Sequence, residues 1–401
     1  MGLIYRRGKT IMPNEKYIKQ ILEKISFPRL SGTRFERKAA QCIKKEIEHL
    51  NLPPKIQSFQ FTSFYPRIYK KTSFLLLFWI ILVLFVNINA VFTLMNILIV
   101  LLIFIPLVLI TRKPENIRIG KKYTSENVYV NLNPDSEDGP NQNIIAKRLQ
   151  VLFLCHIDSK SQKLSIKLRV ISVKVWIYSL FVIIIFLVLK YLYFSENLIF
   201  NLILSIIIGL HFIATILQII NSTHNKSPGA IDNASGISLV LDLLSYYRKP
   251  EPRPNNIDLW FIFTGSEETG TMGVRHFSEI IKNYDESNVR YLNLDSIAKA
   301  LDIFGPLKSK VKKDKFLSTF FEFSKELEPK FHLKRYLVAV NRSDGYYLKR
   351  LGLMGLGLGD KTSYKHIHSP QDSLDKVSAK FLADISRVIV KFLKEFDNTL
   401  M

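Results

Sequence analysis

VLFLCHID, residues 151–158, is an apolar run that ends abruptly on a histidine and an aspartate. Five successive apolar residues, Val151–Cys155, suit a strand covered on both faces, because a half-exposed strand would alternate with polar residues. Similar runs stand at Leu259–Thr264, Val289–Leu294 and Leu337–Val340. Helical patterns lie between some of them. Residues 34–50 place Ala39, Ile43, Ile47 and Leu50 on one stripe, Ile237–Tyr247 forms a second pattern, and Val377–Phe396 carries Phe381, Ile385, Val388, Ile389, Phe392 and Phe396 on one face. Buried strands separated by amphipathic helices predict an α/β fold, with a mixed, largely parallel central sheet flanked by helices.

Outward from that stretch, the polar residues fall at strand ends. His156 directly follows Val151–Cys155, Glu267 and Glu268 come just after Leu259–Thr264, and Asp295 directly follows Val289–Leu294. The carboxyl edge of the strands is where open α/β sheets bind ligands. Two further motifs join them, Asp232-Asn233-Ala234-Ser235-Gly236 and His368-Ser369-Pro370-Gln371-Asp372. Each has a plain alternative. His156 taken alone reads as a histidine closing a strand, Asp232 as a helix cap, Glu267-Glu268 as a solvated turn, Asp295 as a strand-end turn residue and His368 as a loop histidine. Together the plain readings need five coincidences in one order.

The residue types fit a two-metal hydrolase. Two divalent ions about 3.5–4 Å apart bridge a water and polarise a carbonyl, and zinc accepts imidazole nitrogen and carboxylate oxygen. Such a centre needs a shared carboxylate, end ligands and a base. The Glu267-Glu268 pair can supply one base and one ligand, and Asp158 stands where it can orient the His156 imidazole.

This set resembles the M28 family of metallo-aminopeptidases, the leucyl aminopeptidase-like group. The matching patterns are H-x-D after a strand, D-N-A-S-G, E-E with a glycine close behind, a strand-ending Asp, and H-[ST]-x-x-D near the C-terminus. The early Arg29-Leu30-Ser31-Gly32-Thr33 stretch is similar to that family's start. The resemblance implies a zinc-peptidase-like sheet, two Zn2+ per chain and a peptide substrate. His156, Asp232, Glu268, Asp295 and His368 would be the metal ligands, with Asp232 bridging and its peptide bond to Asn233 cis. Glu267 would be the general base and Asp158 the catalytic partner bracing His156. His366 lies close to His368, but only His368 matches the spacing to Asp372. One departure is Ser343-Asp344-Gly345, followed by Gly352-Leu353-Met354, where the family often has Ser-Asp-His before a Gly-Ile-Pro strand. That region shapes the substrate pocket, which leaves the side-chain preference open.

The second departure is larger. Ser73–Ile110 contains no charge and only Asn87, Asn89, Thr93 and Asn96 as polar breaks. A membrane-crossing helix needs about 20 apolar residues, so this block fits two spans with a turn near Asn87–Ala90. Val170–Ile220 fits two more, split at Lys190–Asn197. The expected organisation is therefore 1–72, the first part of the peptidase domain; 73–111, a transmembrane hairpin; 112–169, the domain continued; 170–220, a second hairpin; and 221–401, the domain continued with most ligands.

Lys+Arg total 56 against Asp+Glu 34. This excess points to an anionic membrane face rather than nucleic acid, since no basic stretch carries interleaved aromatics. Lys70, Lys71, Arg112, Lys113, Arg118, Lys121 and Lys122 flank the first hairpin, and Lys160, Lys163, Lys167, Arg169 and Lys226 the second; only Lys190 lies at a tip. The positive-inside rule places the polar segments in the cytoplasm and makes the chain an integral membrane protein of four spans with the lipid bilayer as partner. A competing signal is Asn221-Ser222-Thr223, a glycosylation triplet of a kind that arises by chance. Residues 1–27 lack a secretory h-region, and Arg6 stands where a myristoylation start wants Ser or Thr. Cys42 and Cys155 sit in apolar contexts as free thiols. Oligomeric state is not legible.

The leading function is a membrane-anchored aminopeptidase. Alternatives on the same scaffold are a carboxypeptidase, an amide hydrolase or a glutaminyl cyclase. A non-catalytic membrane scaffold is a further class, against which the complete ligand set weighs. A phosphoesterase would want a phosphate-cradling glycine loop, which the sequence lacks.

Overall fold

A computed structural model of the chain describes residues 13–134, 148–326, 333–338 and 343–400. By internal packing the chain divides into two compact units, one of Met1–Phe59, Thr124–Ser161 and Asn225–Met401, the other of Gln60–Tyr123 and Gln162–His224.

The first unit is built on a mixed, mostly parallel sheet. Its strands are β1 (Lys55–Thr62), β2 (Lys122–Leu132), β3 (Leu149–His156), β6 (Ile257–Thr264), β7 (Val289–Leu294), β8 (Leu301–Gly305), β9 (Leu333–Val338) and β10 (Met354–Gly359), in the order β1-β2-β6-β3-β7-β10-β8-β9. A separate two-stranded sheet pairs β4 (Ser161–Gln162) with β5 (Thr223–His224). β3 lies parallel between β6 and β7, and β10 extends the parallel set beside β7. β2 against β6 and β8 against β10 run antiparallel.

The apolar runs are buried on both faces. Along β3, Val151, Phe153 and Cys155 join the larger core cluster, while Leu152 and Leu154 join a second cluster on the opposite face. β6 divides likewise, with Leu259, Phe261 and Phe263 on one face and Trp260 and Ile262 on the other. Each such side chain stabilises the fold by about 1.5–3 kcal/mol through burial.

The helices cover the sheet by their apolar stripes. Arg34–His49, Ser235–Tyr247 and Ala379–Asn398 match the three patterns read from sequence to within two residues at most ends. A fourth helix, Glu15–Ile25, was not among those patterns. Asn14 caps it by accepting from the Lys16 N–H, and Ile18, Ile21, Leu22 and Ile25 face the core. Four strands of the main sheet, β1, β2, β8 and β10, lie outside the four apolar runs. β10, Met-Gly-Leu-Gly-Leu-Gly, lacks the side chains that mark strands. Packing explains it, because a Cβ at Gly355 would fall 2.3 Å from the Tyr291 ring. The fourth predicted strand begins four residues early, at Leu333, and its Ala339 and Val340 lie outside the described residues.

In the second unit, four helices are long and apolar enough to cross a membrane: Phe64–Val86, Ala90–Ile110, Ile166–Phe194 and Leu198–Ile220. Leu102 is 74 % exposed and Leu198 81 %, which water would penalise and lipid would not. Asn87 takes the left-handed conformation that ends the first helix, and Asn89 caps the next. The third helix starts at Ile166, before the expected Val170, because Ser165 caps it by accepting from Leu168. Three hydrogen bonds tie the later pair together: Gln218 Nε2 to Ser172 Oγ at 2.5 Å, Trp176 Nε1 to Thr215 Oγ1 at 3.1 Å, and Ser179 Oγ with His211 Nδ1 at 2.8 Å. The spacing is one helical turn, so the bonds form a ladder that fixes register.

Candidate metal centre

The parallel strands end together. His156 is level with Thr264 across β3 and β6, and Leu294 with Leu358 across β7 and β10. The loops beyond these ends carry Asp158, Glu267, Glu268, Asp295 and His368. Asp232 arrives from the turn before the Ser235–Tyr247 helix. A shared strand polarity thus delivers side chains that are far apart in sequence to one edge.

All five expected ligands meet in two overlapping groups, His156 with Asp232 and Asp295, and Asp232 with Glu268 and His368. Within each group the ligand atoms lie within 4.8 Å of one another. His156 Nε2 is 2.9 Å from Asp232 Oδ1 and 3.5 Å from Asp295 Oδ1. His368 Nε2 is 3.1 Å from Asp232 Oδ2 and 3.0 Å from Glu268 Oε1. The two oxygens of Asp232 therefore face different groups, as a bridging carboxylate would. Glu268 Oε1 is buried beside the His368 ring nitrogen. Imidazole nitrogens and carboxylate oxygens converging on common points are a donor set that suits zinc.

Packed this closely, the buried groups shift one another's protonation. Burial lowers the His156 imidazole, but contacts with Asp158, Asp232 and Asp295 outweigh it and raise the group well above its ordinary range. Burial pushes Glu267 well above the usual carboxylate range, helped by the charges of Glu268, Asp344 and Asp295 and opposed by His156. Burial also pushes Glu268 up, yet His368 and Lys160 bring it down to about 2.

The supporting contacts begin with Asp158, which is fully buried. The sequence suggested that its carboxylate would brace the His156 ring. In the structure the hydrogen-bond contact to His156 Nδ1 comes from the Asp158 backbone oxygen at 3.0 Å, and the carboxylate stands 3.5 Å away. The carboxylate instead accepts from the Glu267 N–H at 3.0 Å, from the Glu268 N–H at 3.1 Å and from the Ser31 hydroxyl. Through those two N–H groups it holds the acidic pair in place.

Asp372 plays a similar part for Asp232, accepting from the Ile231 N–H at 2.6 Å and the Asp232 N–H at 3.3 Å. The Asp232-Asn233 peptide bond is cis. Asn233 links this turn to β7, donating to Leu294 O and accepting from Gly236 N and Ser296 N. The helix beginning there approaches so closely that a Cβ at Gly236 would lie 2.2 Å from Leu294 O. Ser266, Thr271, Ser296 and His368 all have positive φ without being glycine. Such costly backbone gathers where the surroundings over-determine it, which makes the cluster a mark of a functional site.

Several further buried groups take contacts that the sequence alone does not assign. Glu36 accepts from Gly32 N, Ser125 Oγ and Ser266 N, fixing the left-handed Ser266 before the acidic pair. Arg29 is fully buried and donates to the backbone oxygens of Ile25, Phe27, Ile157, Pro228 and Gly229. Tyr364 lies near Asp295 and Asp232, and burial followed by those charges raises its phenol. Asp344 accepts from Thr264 Oγ1. Lys160 needs correction. Read as a cation flanking the second hairpin, it belongs to the first unit, where its ammonium contacts Glu268 Oε2. The signal was its place two residues after Asp158, on the loop that enters the site.

Comparisons with known proteins bear on the fold and on part of the sequence. Residues 215–393 match the model of Peptidase family M28. No curated protein matches the chain. Among solved structures, the chain is similar to an aminopeptidase from Aneurinibacillus sp. strain AM-1, with a TM-score of 0.57 at 14 % identity over 96 % of this chain and 94 % of that one. It is also similar to BSAP, a zinc aminopeptidase from Bacillus subtilis, with a TM-score of 0.54 at 13 % identity over 96 % and 95 %. A glutaminyl cyclase from Porphyromonas gingivalis shares the fold as well, with a TM-score of 0.51 at 12 % identity over 96 % and 98 %. The family match spans Asp232, Glu267, Glu268, Asp295 and His368, so residues 215–393 of this chain are similar to peptidase family M28.

Proposed function

We propose that the protein is a membrane-anchored aminopeptidase that holds two zinc ions and removes amino-terminal residues from peptides. The observation that carries this reading is the pair of His/carboxylate groups sharing Asp232, with the buried Glu267 beside them. His156, Asp232 and Asp295 would hold one ion, and Asp232, Glu268 and His368 the other. When bound, the ions supply Lewis acidity toward the peptide carbonyl and toward water.

The chain's own residues supply the proton path. Glu267 takes a proton from the attacking water at its carboxylate and returns it to the leaving amine. Its burial keeps the carboxyl poised for both steps. Asp158 fixes the Glu267 and Glu268 backbone through their N–H groups. Asp372 and Asn233 hold the Asp232 turn.

The four apolar helices support insertion of residues 73–111 and 170–220 as two hairpins that interrupt the peptidase domain. The basic residues at the outer ends of the first hairpin, Lys70, Lys71, Arg112 and Lys113, support a cytoplasmic catalytic unit. Labelling a cysteine at Glu196, exposed between the third and fourth spans, tests this orientation: labelling only from the far side supports it, and labelling from the cytoplasm overturns it.

The test of activity is hydrolysis of aminoacyl fluorogenic amides by detergent-purified protein, with zinc, with chelator and as Glu267→Gln. Chelator-sensitive cleavage that falls at least 100-fold in the variant, with zinc still bound, is the expected result. Cleavage retained in the variant would remove Glu267 as base. Cleavage of amino-blocked peptides, or cyclisation of amino-terminal glutamine, would move the reading to another reaction on this scaffold.

A further inference from the structure

The two halves of the metal centre are not electrically equal. The His156 group brings two carboxylates, Asp232 and Asp295, and neither makes an ion pair with Lys or Arg among the described residues. The His368 group also brings two carboxylates, Asp232 and Glu268, but Glu268 Oε2 is in contact with the Lys160 ammonium. Two negative charges serve the first position, while two less one serve the second.

Lys160 is not a surface residue that happens to reach inward. Its side chain is 15 % exposed and that of Glu268 5 %, so water screens the pair poorly. The loop that carries Lys160 is anchored at Ser159, whose N–H donates to Arg29 O and whose hydroxyl accepts from the Arg29 N–H. Glu268 is held from the other side by its own N–H on Asp158. These bonds fix the backbone from which each side chain reaches the other.

We infer that Lys160 makes the two zinc positions unequal, so that the Asp232/Glu268/His368 position binds weakly and exchanges while the His156/Asp232/Asp295 position binds tightly. This rests on the metal reading proposed above. The physical reason is competition for one carboxylate. With Oε2 on an ammonium, Glu268 offers only Oε1 to a dication, and the ammonium and the dication repel across the same group. A hydrogen bond to the second oxygen of a ligand can also strengthen a metal site by orienting it. Asp158 holds only the Glu268 backbone N–H, and in so buried a site the repulsion between two cations sharing one carboxylate outweighs that orienting effect and decides the sign. Lys160 is thus a positioning and tuning residue, acting on the metal through Glu268.

The test uses the full-length protein in detergent, stripped with chelator and titrated with zinc by calorimetry, with bound zinc counted by elemental analysis. Wild type should take up two ions whose affinities differ at least tenfold. Lys160→Gln keeps a hydrogen-bond donor without charge, and it should tighten the weaker event at least tenfold while leaving the tighter one within threefold. Lys160→Arg restores the cation and should reproduce the wild-type gap. His368→Gln should delete the weak event alone, which assigns it. The retained tight event reports that each variant is folded. An unchanged or weakened second event in both Lys160→Gln and Lys160→Met would overturn the inference and leave Lys160 an orienting donor or a bystander. Equal affinities in wild type would overturn it too, with the metal reading intact. Wild type that binds no zinc would sink the metal reading itself.

Discussion

Replacing Asp158 by Asn changes one atom of a buried side chain and should disable the site. In the native structure one carboxylate oxygen accepts from the Glu267 N–H at 3.0 Å, and the other accepts from the Glu268 N–H at 3.1 Å and from Ser31. An asparagine keeps one acceptor oxygen and puts an amide donor where the other stood. One backbone N–H then faces a donor, buried and unsatisfied, at a cost of about 1–3 kcal/mol, and the surviving bond falls from charged to neutral for about another 1 kcal/mol. The sum is about 2–4 kcal/mol. Both N–H groups belong to the acidic pair, so the penalty appears as displacement of Glu267 and Glu268. If all of it is expressed at the transition state, kcat/KM falls about 30- to 900-fold. Ser31→Ala removes only the hydroxyl donor and should lower kcat/KM less than tenfold. The assay is steady-state cleavage of an aminoacyl amide by the three proteins at saturating zinc. Asp158→Asn within threefold of wild type, or Ser31→Ala as damaged as Asp158→Asn, would refute the reasoning.

Other expectations follow from the same contacts. Arg29→Met strips donors from five buried carbonyls and should destabilise the protein by about 3–5 kcal/mol, read by denaturant unfolding in detergent; a loss under 1 kcal/mol would show that the guanidinium is not a structural tie. Asp242 is raised to about 6, first by burial and despite the Asn14 N–H that it accepts. Since the folded state holds this proton more tightly than the unfolded one, its contribution is greatest below about pH 4 and is lost as pH rises through 6. Asp242→Asn should remove about 3 kcal/mol of that fall, and an unchanged slope of stability between pH 4 and 7 would contradict it. In the membrane ladder, a double-mutant cycle of Ser172→Ala and Gln218→Leu should give a coupling of about 0.6–1.7 kcal/mol in the stability of the detergent-solubilised protein; zero coupling would mean that the contact does not set register.

Sequence and structure meet most closely where the physics is local. The run Val151–Cys155 had to be a strand buried on both faces, since no polar residue relieves it, and the structure divides its side chains between two clusters. Helices with a continuous stripe, such as Ala379–Asn398, were equally plain. β10 was not, because glycine carries no strand preference and the need for it at Gly355 comes from Tyr291 on a neighbouring strand. In Glu15–Ile25 the stripe of Ile18, Ile21, Leu22 and Ile25 is short and set among charged residues, which weakens its signal.

By itself the sequence determined which residues could bind metal and that they stand at strand ends, because order along the chain and the apolar runs before each one are visible without coordinates. It also determined the four apolar helices, whose length and lack of charge are sums over neighbours. Only the tertiary structure decided that Asp158 grips the acidic pair more than the histidine, that Glu36 and Arg29 are buried ties, and that Lys160 serves Glu268. Those facts depend on which loops meet at the sheet edge. A charged residue reads the same in sequence whether it faces water or a buried carboxylate, and only the packing of distant segments separates the two.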